Sequence, residues 1–172
     1  MNGVVVRRFV ADGVESEASY SPCELYRYHL ERRWAEGRRL CAVLLNPSTA
    51  TETKNDPTIE RCVRRARASS YGAIRICNLF ALRATRPQDL KAHGDPVGGA
   101  AADAALRAGA AWADDVLCGW GAHGAHLGRG DEVAQLLATC GRPLLALGET
   151  KAGAPRHPLY VAYSVRPAPW RR

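Results

Sequence analysis

Short apolar segments alternate with amphipathic segments along most of the chain. The first amphipathic segment begins at Asp56-Pro57, a pair that favours an N-cap followed by the first helical position. The apolar runs lie at 40–45, 73–80, 116–120 and 144–147, and the helical patterns lie after Asp56, at 99–112 and at 132–138. Strands that alternate with helices are typical of the α/β class. We therefore predict a three-layer sandwich around a central four-stranded parallel sheet.

The two ends of the chain show other patterns. Residues 1–20 contain two β-prone runs separated by an Asp-Gly pair, which predicts an N-terminal β-hairpin. Residues 26–36 place apolar side chains near one face of a helix and are followed by glycine, which predicts a helix there. We expect a last strand at 160–165 and a loose tail at 166–172.

The size and composition suit one globular domain. The chain has 172 residues, 47% of them hydrophobic and 24% charged, which fits a single domain spanning 1–172. No run approaches the roughly 18 consecutive apolar residues of a membrane span. The apolar stretch near the N-terminus is broken by Arg7 and Arg8, unlike a signal peptide. We expect a cytoplasmic protein, a monomer, with no membrane partner.

The charge balance suggests a polyanionic partner. The chain has 24 basic residues against 17 acidic ones, a net charge of +7, and 21 of the basic residues are arginine. Arginine recognises phosphate through paired hydrogen bonds better than lysine does. Chains rich in alanine and arginine also reflect genome composition, so the charge alone leaves a nucleic-acid partner open.

The six cysteines do not form a metal-binding pattern. None belongs to a C-x-x-C pair, and no two lie within ten residues of each other, unlike the ligands of structural zinc or an iron–sulfur cluster. Cys41, Cys77 and Cys118 lie inside apolar runs, where a reduced thiol packs as a small apolar group. His123 and His126 lie among glycines, a poor setting for a helical pair of metal ligands. We expect structural, reduced cysteines, and neither a metal nor a cofactor.

Three polar residues lie where ligands usually bind in such a sheet. Asn46 follows the first predicted strand, Asn78 ends the second, and His157 precedes the last segment. An amide holds a water or reads a base edge, and an imidazole hydrogen-bonds a departing anion. Each residue also has an ordinary explanation. Asn46 before proline ends a strand in a turn, a buried Asn78 is satisfied in the core, and a lone histidine is often structural.

The motifs around these residues resemble known families. The segment LNPS at 45–48 resembles the first motif, G-x-N-P-G, of the uracil-DNA glycosylase superfamily, and RHPL at 156–159 resembles its second motif, His-Pro-Ser-Pro-Leu. Asn78 matches the asparagine that ends the middle strand of that superfamily. From about residue 40 to residue 160 the chain also resembles the domain of unknown function 1643 family, through the blocks LNPSTA, NDPTIERC, NLFALRAT and PRHPLY.

The resemblance implies a uracil-DNA glycosylase-like fold and cleavage of the N-glycosidic bond of a base flipped out of DNA. It assigns positioning of the water to Asn46 and stabilisation of the leaving base to His157. The implied base-binding residues are Asn78, Pro47, Phe80 and Asp56, and Asp56 has the alternative role of a helix cap. The implied DNA-binding residues are Ser48, Thr49, Arg83, Arg86, Lys151, Arg156, Leu159 and Tyr160, of which Leu159 or Tyr160 would fill the space left by the flipped base.

The departures from the superfamily pattern bear on the substrate. The first motif has no aspartate to act as base, so the resemblance leaves Asn46 to position the water, and the second motif lacks Ser-Pro between Pro158 and Leu159. The segment 49–56 has no secure counterpart of the aromatic residue that stacks on uracil. We therefore expect a modified or bulkier pyrimidine, including the hypermodified bases of phage DNA, with DNA repair or anti-phage defence as the setting.

Two other functions use the same residues. One is hydrolysis of free nucleosides or nucleotides, and the other is nucleic-acid binding by a non-catalytic module. The first predicts activity on the free nucleoside, and the second predicts binding without release of a base. Catalysis by a cysteine nucleophile ranks last, because Cys41 and Cys77 precede the ends of their strands and have no histidine nearby in the sequence.

Overall fold

A computed structural model describes residues 3–172; the first two residues of the expected hairpin lie outside the described residues. The strands in this range are β1 (Val5–Ala11), β2 (Val14–Tyr20), β3 (Arg27–Arg33), β4 (Arg39–Leu44), β5 (Ala73–Asn78), β6 (Asp115–Gly119), β7 (Leu144–Ala146) and β8 (Ala168–Pro169). The α-helices are α1 (Pro57–Ala68), α2 (Pro87–Ala92), α3 (Ala100–Trp112) and α4 (Arg129–Ala138). Two 3₁₀ segments, Ala122–Gly128 and Pro158–Tyr160, lie before α4 and after β7.

The strands of residues 3–172 form one mixed sheet of eight, in the order β1-β2-β3-β5-β4-β6-β7-β8. Within it β5, β4, β6 and β7 run parallel, whereas β1, β2, β3 and β8 pair antiparallel with their neighbours. The α/β class is confirmed. The prediction of a four-stranded parallel sheet is wrong, because antiparallel strands extend the sheet on both sides.

Apolar side chains cover both faces of the sheet. α1 buries Ile59 and Cys62 against one face, and α3 and α4 bury Leu106 and Leu137 against the other. Since α1 follows β4 and α4 follows β6, the chain leaves these two neighbouring strands toward opposite faces. Such a switch point opens a crevice beyond the carboxyl ends of the strands. No helix of residues 3–172 is both long and apolar enough to cross a membrane.

Two local predictions are confirmed. Asp12 and Gly13 join β1 to β2 with φ values of 52° and 73°, as a tight hairpin turn of the type favoured by Asp-Gly requires. Asp56 caps α1, because its Oδ1 accepts a hydrogen bond from the Ile59 amide at 2.9 Å, and Pro57 is the first helical residue.

The prediction of a helix at 26–36 is wrong, because residues in this segment form β3. Two of the inward-facing side chains of β3 are arginines that bind main-chain carbonyls. Arg27 Nη1 donates to the Ala50 oxygen at 2.9 Å, and Arg32 Nη2 donates to the Thr51 oxygen at 2.6 Å. Buried arginines interrupt the apolar alternation that indicates a strand. The remaining apolar residues have a spacing that matches one face of a helix.

The C-terminal predictions at 160–165 and 166–172 are also wrong. No strand of the described chain lies at 160–165, and carbonyls of this segment accept hydrogen bonds from Arg61 and Arg65 of α1 instead of from a neighbouring strand. The expected loose tail contributes β8, which pairs with β7, and buries Trp170 in the core. The tail is held because the Trp170 ring packs edge-on against the Trp120 ring, with centroids 5.4 Å apart.

Candidate functional site

A cavity of about 660 Å³ lies at the switch point, beyond the ends of β4 and β6. Its volume falls within the roughly 300–1,000 Å³ typical of small-molecule sites. Asn46 after β4, Thr58 at the start of α1, Gly121 after β6 and His157 before the second 3₁₀ segment all line it. The two residues predicted to be catalytic, Asn46 and His157, therefore share one cavity.

The Asn46 side chain is fixed so that its oxygen remains available. Its Nδ2 donates to the Pro47 carbonyl at 2.9 Å and to the Ala84 carbonyl at 2.7 Å, which uses both amide hydrogens. No group of residues 3–172 donates to its Oδ1. The cavity is thus offered a positioned hydrogen-bond acceptor, the group needed to hold a water.

The His157 imidazole is a neutral donor in a fixed tautomer. Its Nδ1 accepts the Leu159 amide hydrogen at 3.2 Å, so the proton of the neutral ring lies on Nε2. Burial lowers the pKa of His157 to about 4, against a smaller opposing effect of the Asp56 carboxylate. At neutral pH the ring therefore offers the cavity an Nε2–H donor without a positive charge.

Two glycines allow the His157 segment to pack against the end of β6. A Cβ on Gly119 would lie 2.9 Å from Cδ of Pro158, and one on Gly121 would lie 3.4 Å from Cβ of His157. The Gly121 amide donates to the Pro155 carbonyl at 2.8 Å, and its φ of 70° suits glycine. The position of His157 thus depends on small residues of the neighbouring strand.

Two arginines of α1 hold the chain that follows His157. Arg61 Nε donates to the Pro158 carbonyl at 3.2 Å, and Arg65 Nη2 donates to the Val161 carbonyl at 2.7 Å. Arg65 is buried, and no motif in the sequence singles it out. The signal that could have found this pair is the spacing of two basic residues by four positions on a helix, which puts both on one face.

Asp56 lines the same cavity as Asn46 and His157. Besides capping α1 through Oδ1, it accepts the Ala50 amide hydrogen on Oδ2 at 3.2 Å. Two main-chain amides thus fix the carboxylate in place. Asp56 is thus the helix cap that the sequence predicts, and it also lies in the cavity that contains Asn46 and His157.

One known protein family matches most of the chain. The model of a family described as "Protein of unknown function (DUF1643)" matches residues 27–159. The chain belongs to this family. No curated protein and no solved structure matches the chain.

The match to the DUF1643 family runs from the start of β3 into the second 3₁₀ segment. It includes Asn46, Asp56 and His157, and the arginines Arg61 and Arg65. The hairpin of β1 and β2 precedes the match. The residues that match the family therefore include the part of the sheet that forms the cavity.

Three of the predicted base-binding residues do not line this cavity. Phe80 is fully buried in the core covered by α3 and α4 and contacts the His126 ring at a centroid distance of 5.6 Å. Asn78 is buried at the end of β5, with Oδ1 unpartnered in the described chain. Pro47 is buried as well and accepts the Asn46 amide through its carbonyl. Of the predicted set, Asp56 alone lines the cavity.

The predicted DNA-binding residues divide into two groups. Ser48, Thr49, Arg156, Leu159 and Tyr160 line the cavity itself. The others lie around it. Arg83 lines an adjoining groove and donates to the Glu24 carbonyl at 3.2 Å, Arg86 is paired with Asp89 at 2.9 Å, and Lys151 is exposed beside Thr150 of the cavity wall.

Hydroxyl groups of the cavity wall were missed in the sequence. Thr58, Thr85 and Thr150 line it together with the predicted Ser48 and Thr49. Threonines in loops carry no motif by themselves, so only the fold brings these five together. The wall therefore offers many donors and acceptors to a polar ligand.

The cysteines lie away from this chemistry. All six are free thiols, and Cys41, Cys77 and Cys118 are completely buried. Burial raises the pKa of Cys118, and it raises the pKa of Cys62 to about 12, so neither forms the nucleophilic thiolate at neutral pH. In residues 3–172 no group of three histidine, cysteine, aspartate or glutamate side chains is placed to hold a metal ion.

Proposed function

We propose that the protein is a DNA base glycosylase that cleaves the N-glycosidic bond of a flipped, modified pyrimidine and leaves an abasic site. The observation that carries the proposal is the shared cavity, into which Asn46 offers an acceptor and His157 a neutral donor. The motif resemblance to the uracil-DNA glycosylase superfamily supports it, as does the net charge of +7.

The proposed reaction breaks the bond between C1′ of the sugar and a ring nitrogen of the base. The bonding electron pair leaves with the base, and His157 Nε2–H donates a hydrogen bond to a base carbonyl as negative charge develops there. A neutral, preorganised donor suits this role because its N–H group is already positioned to hydrogen-bond the anion as the charge develops. The low pKa of His157 favours this form of the ring.

Water completes the reaction at the sugar. Asn46 Oδ1 accepts one hydrogen of the water and directs its oxygen toward C1′. The water oxygen bonds to C1′, and the proton it releases ends on the departed base. The products are a neutral free base and a hydroxyl group at C1′, with no change in oxidation state.

The cavity supports a substrate larger or more polar than plain uracil. Its five serine and threonine residues offer hydrogen bonds to a substituted base, and its volume of about 660 Å³ exceeds the need of a single unmodified ring. Asn78 and Phe80 do not line it, so we propose that these hydroxyls, rather than Asn78 and Phe80, read the base. Hypermodified pyrimidines of phage DNA are the substrate class proposed, with anti-phage defence as the setting.

The DNA contacts are proposed for the rim of the cavity. Tyr160 is 77% exposed and lies beside His157, with ring centroids 5.8 Å apart. It is therefore better placed than the half-buried Leu159 to occupy the gap left by a flipped nucleotide, an extrusion that costs a few kcal/mol. Arg156, Ser48 and Thr49 are the proposed phosphate contacts.

The test is to incubate the protein with DNA containing uracil, thymine mismatches or hypermodified pyrimidines, including glycosylated hydroxymethyl bases. Mass spectrometry detects the released base, and alkali cleaves the strand at abasic sites. Release from at least one modified DNA is expected. Release from the free nucleoside alone would support a nucleoside hydrolase, and tight DNA binding without any product would support a non-catalytic binding module.

Replacing Arg156 by alanine is expected to weaken the salt dependence of DNA binding. Loss of one phosphate contact lowers the slope of log affinity against log salt by about one. Fluorescence anisotropy at several salt concentrations measures this slope. Arg107 is the control, because it is exposed on α3 and lines none of the described cavities, so its alanine variant should keep the slope of the parent protein. Equal slopes for all three proteins would remove Arg156 from the DNA interface.

A further inference from the structure

Asp56 brings a negative charge to the cavity. Among the described residues that line it, Asp56 alone carries a carboxylate. Each of its oxygens accepts one main-chain amide, from Ile59 at 2.9 Å and from Ala50 at 3.2 Å. A carboxylate oxygen has two lone pairs, so both oxygens keep acceptor capacity for a ligand.

A neutral side chain at position 56 could also cap α1. Asparagine and serine cap helices about as well as aspartate, through a neutral oxygen. Within residues 3–172 Asp56 forms no ion pair, and the buried guanidinium of Arg27 is influenced by its charge without forming a salt bridge to it. The half-buried carboxylate is stabilised by two main-chain amides and by the N-terminus of α1, and no cationic side chain neutralises it, so its negative charge remains available to a ligand in the cavity.

A negative charge beside the sugar would favour the proposed reaction. When the bond to the base breaks, the sugar becomes an oxocarbenium-like cation, and carboxylates stabilise such cations in glycoside hydrolysis. Asn46 is uncharged, and His157 is neutral and acts on the leaving base in the proposed reaction. Neither supplies a negative charge to the sugar. The water held by Asn46 also has a second hydrogen that needs an acceptor.

We propose, resting on the glycosylase function above, that Asp56 is a catalytic residue of this site and acts on the sugar and on the attacking water. Its carboxylate stabilises the cationic sugar while the base leaves with the bonding electrons. As the water oxygen bonds to C1′, the water proton passes to Asp56 and from there to the departed base anion. The carboxylate is regenerated, and the atoms balance without any other reactant. The helix cap and the catalytic base are then one side chain.

The test separates the charge of Asp56 from its cap. Asp56→Asn and Asp56→Ser each keep an oxygen that accepts the Ile59 amide. Both lack the negative charge, and both lose the second carboxylate oxygen, which accepts the Ala50 amide. Single-turnover base release is expected to slow about 100-fold in both, the lower end of what a positioned general base contributes. DNA affinity should stay near that of the parent protein. Both variants should remain folded, with a modest loss of thermal stability because the Ala50 amide loses its acceptor. Asp95→Asn is the matched control, because Asp95 also accepts a main-chain amide, from Gly98 at 3.1 Å, and does not line the cavity.

The outcomes are distinguishable from those of the proposed function. Slow release by both variants, with an unchanged Asp95→Asn control, would establish the role of the charge. An active parent protein with equally active Asp56→Asn and Asp56→Ser would overturn this inference and leave the glycosylase function intact. A parent protein that releases no base from any of the DNAs would overturn the proposed function and this inference with it.

Discussion

His157→Ala and Asn46→Ala are each expected to slow base release about 100- to 1,000-fold. The physical reason differs between them. The first removes the Nε2–H donor that stabilises the leaving base, and the second removes the oxygen that holds the water. Both positions lie in the cavity wall, so DNA affinity and the fold should be retained. Single-turnover release of the base, measured by mass spectrometry, gives the rate.

A third variant separates catalysis from local structure. His157→Asn keeps an oxygen where Nδ1 now accepts the Leu159 amide, but it has no donor at the position of Nε2. It should therefore keep the 3₁₀ segment and still lose base release to the same extent. His126→Ala serves as the control, because that ring packs against Phe80 outside the cavity. Full activity in both His157 variants would exclude the mechanism in which His157 stabilises the base.

The sequence could predict the parallel part of the sheet because its strands are buried on both faces. Runs such as 40–45 and 116–120 are apolar at every position, and a helix cap such as Asp56-Pro57 is a local signal. The position of ligand sites beyond strand ends follows from the α/β class alone. For that reason the sequence places Asn46 at this edge, whereas His157, which ends no predicted strand, is placed there by the motif resemblance.

The rest depends on contacts between distant residues. β3 contains two buried arginines whose partners are carbonyls of a later loop, and no local period shows such a pairing. Asn78 and Phe80 also lie at a strand end and are predicted to bind the base for that reason. Neither lines the cavity, because each is buried beside the sheet. The sequence predicts which residues lie at the edge of the sheet, but packing decides whether their side chains face the cavity.

Acidification from pH 7 to pH 5 is expected to cost the protein about 2 kcal/mol of unfolding free energy through His157 alone. The pKa of His157 is about 4 in the folded chain and about 6.5 when unperturbed, because burial disfavours the charged ring. Between these values the unfolded chain binds more protons than the folded chain. The stabilisation is therefore fully present above pH 6.5, falls as the pH drops toward 4, and changes no further below it. Chemical denaturation at both pH values measures the loss.

His157→Asn isolates this contribution, because asparagine does not titrate and still accepts the Leu159 amide. Burial also lowers the pKa of His29, so some loss of stability on acidification should remain in the variant. The pKa values of Glu17 and Glu60 are lowered from 4.5, so nearly all of their effect on stability lies below pH 5. The variant should therefore lose about 2 kcal/mol less than the parent protein between pH 7 and pH 5. An identical loss in both proteins would mean that His157 titrates normally, and the neutral donor that the proposed chemistry requires would then be charged in mild acid.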